Sequence, residues 1–328
     1  MKKIFIVIII MSIVIGINEY YKYLNKSNNG VIDSVYTQND KTDVYGMLKL
    51  ESFNNKEYTA QVVIYVVIFD TGIQQAYAQS FYNSKNSCVN KNLSYDNEKD
   101  YATDSRHGTL LQQLFDEMSI RAGTINKIKT IHFKIKECDN EKIPKERIVS
   151  MLKEVLILKE RGFNIKVLNI SQVVNSDSTK DKEIQGMIET LYEEGIITVT
   201  SAGNIKKEKV KSNVFANSKK CIVVGGISLN NEIWESDGEG TPIDERINLY
   251  TYASDVRLGE KVPYFSEEVA GTSYSTVIVS WNIANYFAMY NDADVSYVNN
   301  RIRNSFTYIN GVRILDINKM YKRGFKSD

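Results

Sequence analysis

The chain has 328 residues, 43% hydrophobic and 25% charged, with 41 Lys plus Arg against 40 Asp plus Glu and a formal net charge of +1. This is ordinary globular composition, and about 300 residues beyond an N-terminal segment suffice for one large α/β domain or two small ones. The charge balance gives no electrostatic footprint for nucleic acid, three cysteines make no disulfide framework, and no Cys/His cluster has zinc spacing.

Lys2-Lys3 precede an apolar run from Ile4 to Ile17, broken only by Ser12 and Gly16. A basic start followed by a short apolar segment is the layout of an export signal. It falls short of the ~20 residues of a comfortable membrane span. Asn18-Glu19-Tyr20-Tyr21 make a poor cleavage site, so residues 1–17 read either as a signal peptide or as an uncleaved signal anchor. Both send the remainder out of the cytoplasm, secreted or held at the outer face of the cell membrane. Residues 18–58 are polar and without periodicity, a spacer and surface-docked lead-in to a single domain over 59–328. The local basic run around Lys206-Lys207 reads as solvated loop charge.

Gln61 to Phe69 is a continuous β-branched run, apolar on both faces, as suits a central strand of a parallel sheet. It ends at Asp70-Thr71-Gly72. Residues 84–106 are turn-rich and polar, a surface insertion. From His107, residues Leu110, Leu111, Leu114, Phe115 and Met118 fall on one helical face. Ile128 to Ile135 alternates as a strand. Pro144 opens a second helix with Ile148, Met151, Leu152, Val155 and Leu156 inward, closed by Gly162. A strand at 165–170, a helix carrying Ile184, Met187, Ile188, Leu191 and Tyr192 up to Gly195, and strands at 196–200 and 221–224 follow. Strands alternating with helices predict an α/β fold: a doubly wound, mostly parallel sheet flanked by helices. Ligands on such sheets bind beyond the carboxyl ends of the strands, and Asp70, Ser171 and Asn204 lie at such ends. Cys221 opens an apolar strand and reads as a small buried hydrophobe. His132 alternates within its strand as a satisfied structural histidine. Cys88 and Cys138 are left, and their pairing is open.

Gly271-Thr272-Ser273 heads an apolar stretch that runs to Tyr290 without Gly or Pro. A serine here serves as a helix cap. It also sits where unpaired N–H groups and the helix dipole face incoming negative charge. Nucleophilic chemistry needs a base to take the hydroxyl proton and a carboxylate to orient that base. His107, opening its helix, and Asp70, ending its strand, supply those residue types.

The order Asp70, His107, Ser273 is that of subtilisin, and the surrounding blocks agree. Asp70-Thr71-Gly72 matches the acid motif, His107-Gly108-Thr109 the base motif and Gly271-Thr272-Ser273 the nucleophile motif, while Ala202-Gly203-Asn204 matches the oxyanion block. The chain therefore resembles the subtilisin-like serine peptidases, the subtilases, over roughly residues 60–320. The resemblance implies a subtilisin-like fold and a serine endopeptidase with polypeptide substrates. Ser273 would be the nucleophile, His107 the base, Asp70 its orienting acid and Asn204 an oxyanion donor. A substrate-pairing strand would match Leu168-Asn169-Ile170-Ser171, with Ser171, Gln172, Val173, Ala202 and Gly203 as the substrate-binding residues. No cofactor is required. Calcium sites are frequent in the family, but the loops at Asp104, Asp177 and Asp237 show no ligand spacing, and no metal is assigned.

Several positions depart from the family. Leu110-Leu111-Gln112-Gln113 stand where small residues usually let the helix approach the sheet. Tyr274 replaces a usual Met and Val277 a usual Pro. Gln172-Val173 replace Leu-Gly. These changes bear on cleft shape and favour a dedicated processing enzyme over a general scavenger. They also motivate an alternative, a catalytically impaired relative that binds a peptide or protein partner. An α/β esterase is disfavoured, because the serine lacks a Gly-x-Ser-x-Gly elbow and follows the Asp and His. The segment before Asp70 is short for a folding-assistant propeptide, so either none exists or one is encoded elsewhere.

Overall fold

The computed structural model describes residues 43–53, 63–74, 76–77, 106–135, 143–176, 180–206, 210 and 213–322. The signal-like segment, almost all of the insertion expected over 84–106, and Cys88 and Cys138 lie outside the described residues. Among the described residues no helix is long and apolar enough to cross a membrane.

A short helix α1 (Val44–Met47) is capped by the Asp43 carboxylate, which accepts from Gly46 N. A 3-10 turn, Leu50–Phe53, follows it. Val44, Tyr45, Leu48, Leu50 and Phe53 are all buried in the main core. The Phe53 ring meets Trp281 and Tyr321 edge-on, at 6.1 and 4.6 Å between centroids. Part of the expected surface lead-in thus belongs to the core, and its two elements, of four residues each, are too short to show a sustained period.

The central elements follow the predicted alternation. They are β1 (Ile64–Asp70), α2 (Arg106–Arg121), β2 (Ile128–Lys134), α3 (Lys145–Glu160), β3 (Ile165–Ile170), α4 (Lys180–Glu193), β4 (Ile197–Ser201) and β5 (Ile222–Ile227). Gly162 and Gly195, with φ of 92° and 82°, end α3 and α4 in the left-handed conformation that glycine adopts without penalty. Two small antiparallel pairs follow: β6 (Glu235–Ser236) with β7 (Glu239–Gly240), and β9 (Val256–Leu258) with β10 (Glu267–Val269). Between them, β8 (Leu249–Tyr252) joins the main sheet. The long helix α5 (Thr272–Met289), then α6 (Val295–Asn304), the hairpin β11 (Phe306–Ile309) and β12 (Val312–Leu315), and α7 (Ile317–Tyr321) complete the chain.

The main sheet has the order β11-β12-β8-β5-β4-β3-β1-β2. It is parallel from β12 to β2, with β11 added antiparallel at the edge. The β11–β12 hairpin was not expected, since its mixed sequence is only partly buried. Two cores lie against the sheet. One contains α5 and α2, the other α3 and α4.

Helix α5 is buried along its whole length, as an all-round apolar helix must be. Trp281 donates from Nε1 to Ser119 Oγ of α2 at 2.9 Å, which satisfies the one polar atom of its ring. Helix α2 differs from the one-faced helix that its pattern predicts. Leu110, Leu111, Leu114, Phe115 and Met118 are buried, but so are Gln112, Gln113, Asp116 and Glu117. Gln112 faces Thr130 and His132 of β2 and Asp116 faces Tyr77, while Gln113 and Glu117 meet the loop that covers the helix. Gln113 Nε2 donates to the carbonyls of Val262 and Phe265, both at 2.7 Å, while its Oε1 accepts from Phe265 N at 3.0 Å. Glu117 accepts from Gly259 N at 2.5 Å, and burial raises its carboxyl pKa above the ordinary value. Loop backbone groups that would otherwise be orphaned find partners in the side chains of the helix.

The close approach of α2 to β1 depends on Gly108. A Cβ built there would lie 2.1 Å from the Gly72 carbonyl oxygen, a backbone atom that cannot swing aside. Gly108→Ala must therefore displace the helix from the loop after β1. A loss of about 1–3 kcal/mol in urea unfolding is expected, the range typical of overpacking; an unchanged midpoint would mean that this approach is not fixed.

Candidate active site

Asp70 is the last residue of β1 and has no exposed surface. Its Oδ1 accepts from Thr71 N at 2.8 Å and from Thr71 Oγ1 at 3.3 Å. The Thr71 hydroxyl in turn accepts from Gly108 N at 3.0 Å. Thr109 Oγ1 accepts from Gln74 N at 2.8 Å. The threonines of the two motifs thus stitch the loop after β1 to the first turn of α2. This sets the His107 side chain, 20% exposed, with Nδ1 2.7 Å from Asp70 Oδ1. Burial opposes ionisation of Asp70, but His107, then its hydrogen bond, then Gln172 and the Thr71 amide outweigh it, and the carboxyl pKa is held below its ordinary value. An ionised Asp70 only accepts, so Nδ1 carries the proton and Nε2 of the neutral ring is an acceptor.

Ser273 lies in the first turn of α5 and is 7% exposed. It is not the cap of that helix. The N-cap residue is Gly271, at φ 139° and without a side-chain cap bond. Ser273 Oγ instead donates to the Ser171 carbonyl at 2.9 Å, and Ser171 Oγ donates back to the Ser273 carbonyl at 3.1 Å. A directional chain supports this pair. Ser280 Oγ donates to Asn169 Oδ1 at 2.9 Å, and Asn169 Nδ2 donates to Ser171 Oγ at 3.0 Å. The neighbouring Tyr274 ring lies 6.1 Å from the His107 ring, centroid to centroid.

Asn204 follows β4 beyond Gly203, whose φ is 94°. Its Oδ1 accepts from Thr272 N at 3.0 Å and Thr272 Oγ1 at 2.8 Å. Those contacts fix the amide orientation and leave Nδ2 as the outward donor. A Cβ at Gly271 would come 3.2 Å from that Nδ2, so the glycine keeps the space beside it clear. Among the described residues neither Asn204 Nδ2 nor the Ser273 N–H has an acceptor. Two such donors at the start of a helix suit a developing oxyanion.

The expected substrate residues divide. Leu168, Asn169 and Ile170 pair within the sheet, with β4 on one side and β1 on the other. They are therefore not open to a further strand, and only the segment from Ser171 leaves the sheet. Val173 leans toward Gly203, where a Cβ would meet Val173 Cγ2 at 3.3 Å. Ala202 donates its N–H to the Val224 carbonyl at 2.9 Å and is buried. Gln172 turns its side chain inward. Its Nε2 donates to Asp70 Oδ2 at 2.9 Å and lies 3.3 Å from His107 Nδ1. Consecutive residues, Ser171 and Gln172, thus join Ser273 to the Asp70–His107 pair.

A model of the subtilase family matches residues 63–314. The chain belongs to the subtilase family. No curated protein matches it individually. Family membership makes the chain a serine peptidase, with polypeptides as its substrates. Among the described residues no group of three or more His, Cys, Asp and Glu side chains could hold a metal ion. Cys221 is a buried free thiol, pushed up to about 12 by burial.

His132 is buried in β2 as expected, yet only half satisfied. Its Nε2 is 2.6 Å from Gln112 Oε1, while Nδ1 has no partner among the described residues. Burial lowers its pKa from 6.5 to about 3, against a smaller opposing pull from Asp70. The unfolded chain therefore takes up this proton near pH 6.5, and the folded subtilase does so only near pH 3. Stability should fall as the pH drops through that window. Melting temperatures measured across it should show a shallower decline for His132→Asn than for the wild type; parallel curves would remove His132 as the cause.

Proposed function

We propose that this subtilase hydrolyses peptide bonds through an acyl-enzyme, with Ser273 as nucleophile, His107 as general base and Asp70 as the group that orients His107. The observation that carries the proposal is the 2.7 Å bond from His107 Nδ1 to a fully buried Asp70 carboxylate. It fixes the tautomer in which Nε2 is the proton acceptor. Ser273 loses its proton to Nε2 as its oxygen bonds to the substrate carbonyl carbon. The tetrahedral oxyanion is met by Asn204 Nδ2 and the Ser273 N–H. His107 then protonates the leaving amine, and water repeats the sequence on the ester.

Ser273 Oγ donates to the Ser171 carbonyl and not to His107, so its proton must be redirected to Nε2 before attack. That costs one exchange of acceptor. In the same reading, Ser171, Val173, Ala202 and Gly203 border the bound peptide, and the Val173 side chain restricts the space beside Gly203. This restriction favours a processing enzyme over a scavenger, and broad digestion of casein would count against it. Residues 1–17 would direct export, as a cleaved signal or as a membrane anchor. N-terminal sequencing of the mature protein distinguishes the two, a new N-terminus marking a cleaved signal and an intact Met1 an anchor; recovery of the intact chain in the cytosolic fraction would reject both.

A fluorophosphonate probe should label the wild type and fail to label Ser273→Ala; labelling that persists in the alanine variant rejects this nucleophile. Asn204→Ala should lower kcat by about 10²–10³-fold with little change in KM, the size of effect found for such a donor in subtilisin itself.

A further inference from the structure

The family resemblance gives Gln172 no part in the chemistry, since the family prefers an apolar Leu at this position. Its surroundings are nevertheless those of a polar anchor. The side chain is 9% exposed and points at the acid–base pair. Asp70 Oδ1 already accepts from Thr71 N, Thr71 Oγ1 and His107 Nδ1. Among the described residues the donor to Oδ2 is Gln172 Nε2, at 2.9 Å. A carboxylate oxygen buried without a donor is costly. The same Nε2 lies 3.3 Å from His107 Nδ1. Nδ1 is itself a donor to Asp70, so this second contact is no hydrogen bond. Two donors converge on one carboxylate.

We propose that Gln172 is a positioning residue of this active site, holding the Asp70 carboxylate in plane with His107 and lowering the proton affinity of the imidazole. The assignment rests on the peptidase reading above. It follows from charge and geometry. The amide draws part of the Asp70 charge toward Oδ2, away from the ring. Its partly positive hydrogens also stand beside Nδ1, where they oppose an imidazolium. Both effects favour the neutral, proton-accepting ring.

Among the described residues the other charged or titratable groups around the pair are few. On the helix of His107, Arg106 is bonded to Glu267 of β10 at 2.6 Å. From β2, Lys134 stands opposite Asp70 in register, and the buried His132 stands opposite Ile68. From α5, Tyr274 presents its ring. Gln172 is the neutral donor that reaches the carboxylate from the β3 side. Because the following Ser171–Ser273 contacts belong to the same turn of chain, the side chain also ties the acid–base pair to the strand that carries the serine's hydrogen-bond partner.

The test compares wild type, Gln172→Leu and Gln172→Glu by hydrolysis of a fluorogenic peptide and by the rate of fluorophosphonate labelling, with Ser273→Ala as baseline and melting temperature as the check on folding. In Gln172→Leu, kcat should fall about tenfold, the loss expected for one charge-assisted hydrogen bond, with KM within about twofold. The acidic limb of kcat/KM, which reports the base of the free enzyme, should move to higher pH. Gln172→Glu keeps the size and reach of the side chain and so answers the question even where the leucine variant does not fold. A second carboxylate stabilises the imidazolium, and the limb should move further in the same direction. A raised KM with kcat unchanged would show that Gln172 touches substrate instead, and an unmoved limb in both variants would equally overturn the assignment. A wild type labelled no better than Ser273→Ala would reject the peptidase reading itself, and this assignment with it.

Discussion

A carboxylate with no exposed surface, at the end of a strand buried on both faces, is the constraint around which the site is built. Asp70 cannot be hydrated there, so its oxygens must be met by donors supplied by the fold. Thr71 supplies two from the adjacent residue, His107 one from α2, and Gln172 one from the chain beyond β3. Each donor is also a structural tie. The first fixes the turn after β1, the second brings α2 against that turn, and the third holds the neighbouring strand's exit in place. The close contact of Gly108 with the Gly72 carbonyl follows from the same demand. A helix standing further off could not bring Nδ1 to 2.7 Å.

The other half of the site is organised by α5. Its burial comes from apolar packing, but its rotation about its own axis is set by polar atoms in that apolar setting. Ser280 reaches Asn169, Asn169 reaches Ser171, and Ser171 and Ser273 exchange hydrogen bonds. At the helix start, Asn204 takes the place of a side-chain cap by accepting from Thr272. The residue that orients the helix terminus is therefore the one whose Nδ2 faces outward. In the proposed site, positioning the serine and aiming the oxyanion donor would be two ends of one amide.

Much of this was legible in the sequence where a local signal existed. The run from Gln61 to Phe69 announced a doubly buried strand, Gly162 and Gly195 announced helix ends, and one short motif closed β1 while two others opened α2 and α5. What was not legible depended on contacts between distant segments. The polar face of α2 read as solvent-facing because Gln113 and Glu117 are ordinary surface residues until the 259–265 loop covers them. Residues 43–53 read as a lead-in because Val44, Tyr45, Leu48 and Phe53 follow no sustained period. Gln172 read as a cleft residue because nothing local indicates that its amide meets a carboxylate 102 positions away. A polar residue replacing an apolar one beside a predicted catalytic strand was the available signal.

The same geometry clarifies why the serine's proton points where it does. With Nδ1 committed to Asp70, the imidazole offers one acceptor, Nε2. The hydroxyl of Ser273 has one proton and here gives it to the Ser171 carbonyl. That carbonyl lies in the segment whose next side chain holds Asp70, so the resting acceptor is fixed relative to the base. Redirecting the proton toward Nε2 exchanges one acceptor, the Ser171 carbonyl, for the more basic imidazole nitrogen. A substrate that fills the cleft excludes the water that would compete for Nε2 and for the serine hydroxyl. In the proposed reaction, the arrival of the peptide therefore favours Nε2 as the partner of the hydroxyl, and the frame built around one buried carboxylate holds the imidazole in the orientation that offers it.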